Sequence, residues 1–180
     1  MTSLADTSLF DAVAAAASAE SPLWAQALRQ HSERDLTPVF SPLVPDPALA
    51  LGVETIYEGY LVHYGTPRLF APADPDTALL LGDYLYAQGL VHVASTGNVA
   101  AVADLAELIS LCAQGRADDR PGDGPAWAAT ATQLGSGTLG APRAALRDER
   151  DAGALESLAR LAAGDDAVDA ALAAHDLRVR

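Results

Sequence analysis

The segment from Asp46 to Tyr64 constrains the fold more than any other part of this chain. Asp46 can accept a main-chain N–H at a helix start, and Pro47 suits the first helical position, where its missing N–H would have no partner anyway. Leu49, Val53, Ile56 and Tyr60 then recur in steps of four, three and four, the helical period. The helix is expected to end near Tyr64-Gly65, because Pro67 prevents its continuation. The same grammar repeats downstream. Asp74 or Asp76, with Pro75, opens a helix that runs to Ser95 and stops at Gly97. Asn98 opens the next, with Val99, Val102, Leu105, Leu108, Ile109 and Cys112 as its apolar stripe and Gly115 as its stop. Alternating β-branched runs are absent, so the fold class is all-α.

The remaining segments follow from their punctuation. A first helix is expected over about Ser8–Ala19, and Ser21-Pro22 opens a second that continues to about Arg34. Thr37–Pro45 carries Pro38, Pro42 and Pro45 and reads as a linker. Gly115–Pro125 reads as an exposed loop or hinge, followed by a short helix near Trp127–Leu134 and a Gly/Ser-rich link over Gly135–Gly140. Two further helices are expected, about Pro142–Ala163, weakened by Gly153, and Asp165–Asp176. The fourth helix is apolar nearly all round (Leu79, Leu80, Leu81, Tyr84, Leu85, Leu90, Val91, Val93), the pattern of a helix buried among others. The domain organisation read from this is a helical core over residues 1–115 and, over 116–180, a hinge loop with looser C-terminal helices.

Composition excludes several classes of function. At 180 residues the chain has room for one domain, which can bury roughly 70% of its unfolded surface without a covalent staple. Cys112 is the only cysteine, so an intrachain disulfide or a cysteine-rich zinc site is ruled out. The net charge is −13, all 11 basic residues are arginine, and lysine is absent. That balance disfavours nucleic acid and acidic membranes as partners, and it removes lysine chemistry altogether. Asp6 and Asp11 sit where a leader would carry basic residues, and Ala12–Ala17 is too short and weakly apolar to serve as one. No run approaches the ~20 apolar residues of a transmembrane helix. A cytoplasmic setting is expected. The histidines show no zinc-ligand spacing. The string GSGTLG at 135–140 has neither a preceding strand nor a following lysine, so it reads as a link rather than a phosphate loop.

Two strings carry a resemblance. The first is HYGTPRLF over His63–Phe70. The second is LGDYL over Leu81–Leu85, at the centre of the fourth helix, with Asn98 opening the next. In this register the segment from about 45 to 115 resembles the trans-prenyl diphosphate synthases. The resemblance implies a bundle like the N-terminal half of the isoprenoid synthase fold, with Gly65, Pro67, Gly82, Asp83 and Tyr84 as motif positions. In catalytic members an Asp-Asp-x-x-Asp motif precedes the Gly-x-Pro turn and chelates magnesium on the diphosphate leaving group. Counting back from Gly65 lands on Glu54, Thr55 and Glu58. One carboxylate is missing, and magnesium prefers short, rigid ligands. Glu54 and Glu58 are therefore the metal candidates only if the chain is a divergent enzyme; otherwise they occupy the polar face of the helix. A literal match to the motif, Asp165-Asp166-Ala167-Val168-Asp169, lacks the family's preceding Phe-Gln and reads as acids in a first helical turn. The family's lysine- and arginine-containing diphosphate grip is also missing. Arg68 is expected at the surface, where it could touch a phosphate.

These departures resemble the short, non-catalytic small subunits of heterodimeric hexaprenyl and heptaprenyl diphosphate synthases. The function expected is an accessory subunit, an oligomer-forming pseudoenzyme that supports isoprenoid chain elongation by a catalytic partner or associates with itself. It has no catalytic residues or cofactor of its own. The alternatives are a magnesium-dependent prenyltransferase or diphosphate-processing enzyme using Glu54 and Glu58, and a helical interaction module without an isoprenoid role. All five tyrosines lie on helices three and four. Tyr57, Tyr60 and Tyr84, with Leu85, are expected to line a subunit interface or an apolar tunnel.

Overall fold

A computed structural model describes the backbone of residues 4–179 and the side chains of 9–179. Among the described residues the α-helices follow in the order α1 (Leu4–Glu20), α2 (Pro22–Ala27), α3 (Pro47–Tyr64), α4 (Pro75–Ser95), α5 (Val99–Ala117), α6 (Asp123–Gln133), α7 (Gly140–Ala144), α8 (Gly153–Ala163) and α9 (Asp165–Asp176), and no β-strand is formed. The expected caps form. Asp46 accepts Ala48 N–H at 3.0 Å, Asp74 accepts Thr77 N–H at 2.8 Å, and Asn98 accepts Ala101 N–H at 2.9 Å. Between the two aspartates left open for α4, Asp74 is the cap.

The first helix begins at Leu4 rather than near Ser8, and three boundaries further along also differ from the expectation. The second helix stops at Ala27, because the chain then runs extended beside the segment after Pro67: Leu28 and Phe70 form a single antiparallel bridge, flanked by Arg29 N to Leu69 O at 2.9 Å and Ala71 N to Ala27 O at 2.7 Å. The expected hinge is shorter than Gly115–Pro125, since α5 continues through Gly115 and α6 begins at Asp123. The helix expected over 142–163 is broken. A turn of π-helix over Ala145–Glu149 ends at Arg150, whose φ of 60° is left-handed, and α8 starts at Gly153.

The central helix is α3. Eleven of its residues are buried, including Glu54, Thr55 and Glu58. The fourth helix lies beside it at the periphery, contrary to the expectation that it would be enclosed. Glycines explain the close packing of the pair. Gly52 and Gly59 are two turns apart on α3, as are Gly82 and Gly89 on α4, and the antiparallel helices set Gly52 against Gly89 and Gly59 against Gly82. A Cβ at Gly89 would stand 2.8 Å from Gly52 O, and one at Gly59 would stand 3.0 Å from Gly82 O. The two backbones therefore meet directly.

The C-terminal helices are part of the main core, which runs from Val39 to Ala171 and takes in Trp127, Leu155 and Val168. A second cluster joins Phe10, Val13 and Ala17 of α1 with Trp24, Leu69, Phe70, Leu81 and Leu85. The Pro-rich linker is also interior in part: Val39, Phe40 and Leu43 are buried, and Phe40 stacks on Trp127 at 5.5 Å.

Candidate functional site

Glu54 and Glu58 lie one turn apart on α3 and are 1% and 0% exposed. Each holds a different loop. Glu54 Oε1 accepts the main-chain N–H groups of Val39 at 3.3 Å and Ser41 at 3.2 Å, which fastens the Pro-rich linker. Glu58 Oε1 accepts those of Arg68 at 2.9 Å and Leu69 at 2.7 Å, which fastens the segment after Pro67. Arg68 joins the two carboxylates. Its Nη1 is 2.7 Å from Glu54 Oε2, its Nε donates to Glu58 Oε2 at 3.0 Å, and Nη1 also donates to Thr37 O at 3.1 Å. The guanidinium lies between two rings, 4.8 Å from the Phe10 centroid and 5.0 Å from that of Tyr57.

Arg68 is thus 2% exposed rather than a surface residue. Burial by itself would favour loss of its proton, but the charges of Glu54 and Glu58 outweigh that and raise its pKa further. The polar-face reading of the two glutamates fails for the same reason, since an interior cation and four main-chain donors take the place of water. The sequence did carry a signal for this pairing: Arg68 is the only arginine between Arg34 and Arg116. A metal ion at Glu54 and Glu58 would have to displace that guanidinium from both carboxylates.

The tyrosines divide between two environments. Tyr57 and Tyr60 are fully buried, with ring contacts to Trp127 at 5.0 and 5.6 Å and to His175 at 5.9 and 5.7 Å. The protein's own interior occupies their faces. Tyr84 is half-buried and stacks on Trp24 at 5.9 Å, while Leu85 is enclosed in the α1–α2–α4 cluster. Burial raises the pKa of both Tyr57 and Tyr60; for Tyr60 the neighbouring Asp123 adds to the effect.

A second polar network was not anticipated. Tyr60 Oη donates to Asp123 Oδ2, and Arg116 reaches both groups, with Nη2 2.6 Å from the phenol oxygen. On the far side of Asp123, His175 Nε2 stands 3.7 Å from Oδ1, and Tyr57 Oη lies 3.0 Å from His175 Nδ1. These five residues come from α3, α5, α6 and α9, so periodicity within any one helix could not reveal them. Arg143 makes a comparable hub: it is 2% exposed and bonds Asp104, Glu107 and Thr130.

The remaining motif positions have local roles. Gly65 ends α3 where a Cβ would stand 2.5 Å from Arg178 O, and Thr66 N donates to that same carbonyl at 2.8 Å. Pro67 follows and is half-buried. Gly82 leaves room for the His63 ring, and exposed Asp83 lies 3.2 Å from His63 Nε2. Burial lowers the His63 pKa, and Asp83 opposes the shift only in part. The Asp165–Asp169 match sits at the exposed start of α9, where Asp165 and Asp169 pair with Arg160 at 3.3 and 2.7 Å. Among the described residues no helix is long and apolar enough to cross a membrane.

Comparison with known proteins found no matching family model, curated protein or solved structure.

Proposed function

We propose that this chain is a non-catalytic accessory subunit of a polyprenyl diphosphate synthase, a pseudoenzyme that acts by docking to a catalytic partner. One observation carries the reading. At the positions where the resemblance sets the first metal motif, Glu54 and Glu58 share one interior arginine and are used to hold two loops. The chemistry of such a triad is structural: opening it to bind magnesium would strand Arg68 in an apolar interior, at a cost of several kcal/mol. The packed faces of Tyr57 and Tyr60 favour one second reading, a helical interaction module without an isoprenoid tunnel.

The test is a pulldown of the tagged chain from its own cell extract, followed by a prenyl-transfer assay on the eluate and on the pure chain, with and without magnesium. Activity confined to the eluate, with a synthase present, supports the accessory role. Magnesium-dependent activity of the pure chain, abolished by Glu58→Gln, would overturn it. A partner other than a synthase would favour the interaction module.

A further inference from the structure

The solvent-exposed face of α4 has a composition of its own. Asp76, Leu80, Asp83, Ala87, Val91 and Ala94 are all exposed and recur in steps of three and four, a stripe about 27 Å long at the helical rise. Leu79, Leu80 and Val91 are 55%, 56% and 60% exposed, and Val99, at the start of α5, is 79% exposed. Large apolar groups held in water along one helix mark a contact surface better than scattered ones do.

The charges around this stripe are one-sided. None of the eleven arginines falls between Arg68 and Arg116, so α4 and α5 as far as Arg116 offer no arginine to a partner. The acids of α5, Asp104 and Glu107, are engaged by Arg143 and Arg147. Exposed Asp76 lies on the stripe, and exposed Asp83 lies at its edge, 3.2 Å from the Nε2 of His63 on α3, a ring whose protonation burial disfavours. A second copy of this chain that presented the same stripe in a symmetric pair would bring more aspartates and no arginine to the contact, on top of a net charge of −13 for each chain. Like charges brought together across an interface oppose association, and opposite charges select the partner.

We infer that the exposed stripe of α4 docks an amphipathic helix of a different protein, with an apolar seam flanked by arginine or lysine. For the partner's biological role the inference rests on the accessory-subunit reading; the surface itself can be tested apart from it. Two synthetic helical peptides with the same Leu/Ala seam, one flanked by arginine and the other by glutamate, are titrated against the full chain by fluorescence anisotropy. The comparison uses L80R/V91R on the stripe and A162R/A170R on exposed positions of α8 and α9, which add the same charge. Circular dichroism confirms that both variants fold. The arginine peptide is expected to bind the wild-type chain and A162R/A170R, and to bind L80R/V91R at least tenfold more weakly. The glutamate peptide is expected not to bind.

Equal weakening by both variants would reduce the attraction to net charge and overturn the proposal. So would a wild-type dimer in sedimentation that L80R/V91R returns to monomer, because the occupant would then be a second copy. A synthase that copurifies equally well with L80R/V91R would overturn this surface while leaving the accessory role intact. Peptide docking on the stripe without any synthase partner would keep the surface and remove the accessory role.

Discussion

Arg68 shows how one side chain can decide the character of a site. Its positive charge is interior, and so are two negative ones, an arrangement that stabilises little by comparison with apolar packing. Its removal is another matter, since Glu54 and Glu58 would remain buried without their cation. Arg68→Met is therefore expected to lower stability by about 3–5 kcal/mol, measured by urea unfolding; a loss below about 1 kcal/mol would mean that the triad is more open to water than its burial indicates. The spacing of Glu54 and Glu58 was legible in the sequence, and so was the isolation of Arg68 among the arginines. Their pairing was not, because it requires the turn after Tyr64 to fold the chain back along α3. A helical wheel places the glutamates on a polar face, but it cannot register that the linker and this turn cover that face.

At the scale of helices, the contrast between α3 and α4 comes from glycine rather than from hydrophobicity. The fourth helix is the more continuously apolar of the two, yet α3 lies at the centre. Its Gly52 and Gly59 let one helix approach at the level of the backbone, and its other faces remain free for α1, the linker and α5. Alanine is worth about 1 kcal/mol more than glycine inside a helix, so an unopposed Gly→Ala change stabilises. Gly115 in α5 is such a position: a Cβ there meets nothing closer than 3.6 Å, and Gly115→Ala is expected to raise the melting temperature. At Gly89 the new Cβ would stand 2.4 Å from Ile56 Cγ1 and 2.8 Å from Gly52 O, so Gly89→Ala is expected to lower stability by about 1–3 kcal/mol as the helices are forced apart. Thermal unfolding of the two variants side by side checks both signs. The two-turn spacing of glycines was present in the sequence, but nothing in it said that one pair would face the other.

Across the whole molecule, the C-terminal helices close the structure rather than trail from it. Asp123 links α6 to Tyr60 of α3 and Arg116 of α5, and it faces His175 of α9. Arg178 pairs with Asp35 and presents its carbonyl to Thr66, which fastens the end of the chain to the turn after α3. Burial alone would raise the Asp123 pKa, but the polar contacts of His175 and Tyr60, together with the positive charge of Arg116, outweigh it and hold the carboxyl below its ordinary 3.8. A carboxylate lowered in the folded state stabilises fully above that ordinary value, and its contribution is lost as the pH falls toward the folded pKa. Asp123→Asn keeps the shape and removes the titration. The variant is expected to be about 1–3 kcal/mol less stable than the wild type at pH 7, with the gap narrowing below about pH 4. Urea midpoints of both proteins at pH 7 and pH 3 measure it, and a gap that stays constant would show that Asp123 does not act as a charge.

The helical class, the caps at Asp46 and Asn98, an aspartate cap for α4 at either Asp74 or Asp76, and the extents of α3, α4 and α9 were legible along the chain, because these depend on contacts within a few residues of one another. Which helix is central, which acids are interior and which apolar residues stay in water were set by packing between distant segments. Those outcomes depend on what covers each face. The cover comes from distant residues: Arg68 over Glu54 and Glu58, Gly89 over Gly52, His175 beside Tyr57. Along α4 the same dependence leaves Leu80 and Val91 exposed, although their sequence context is as apolar as that of buried Leu81 and Leu85.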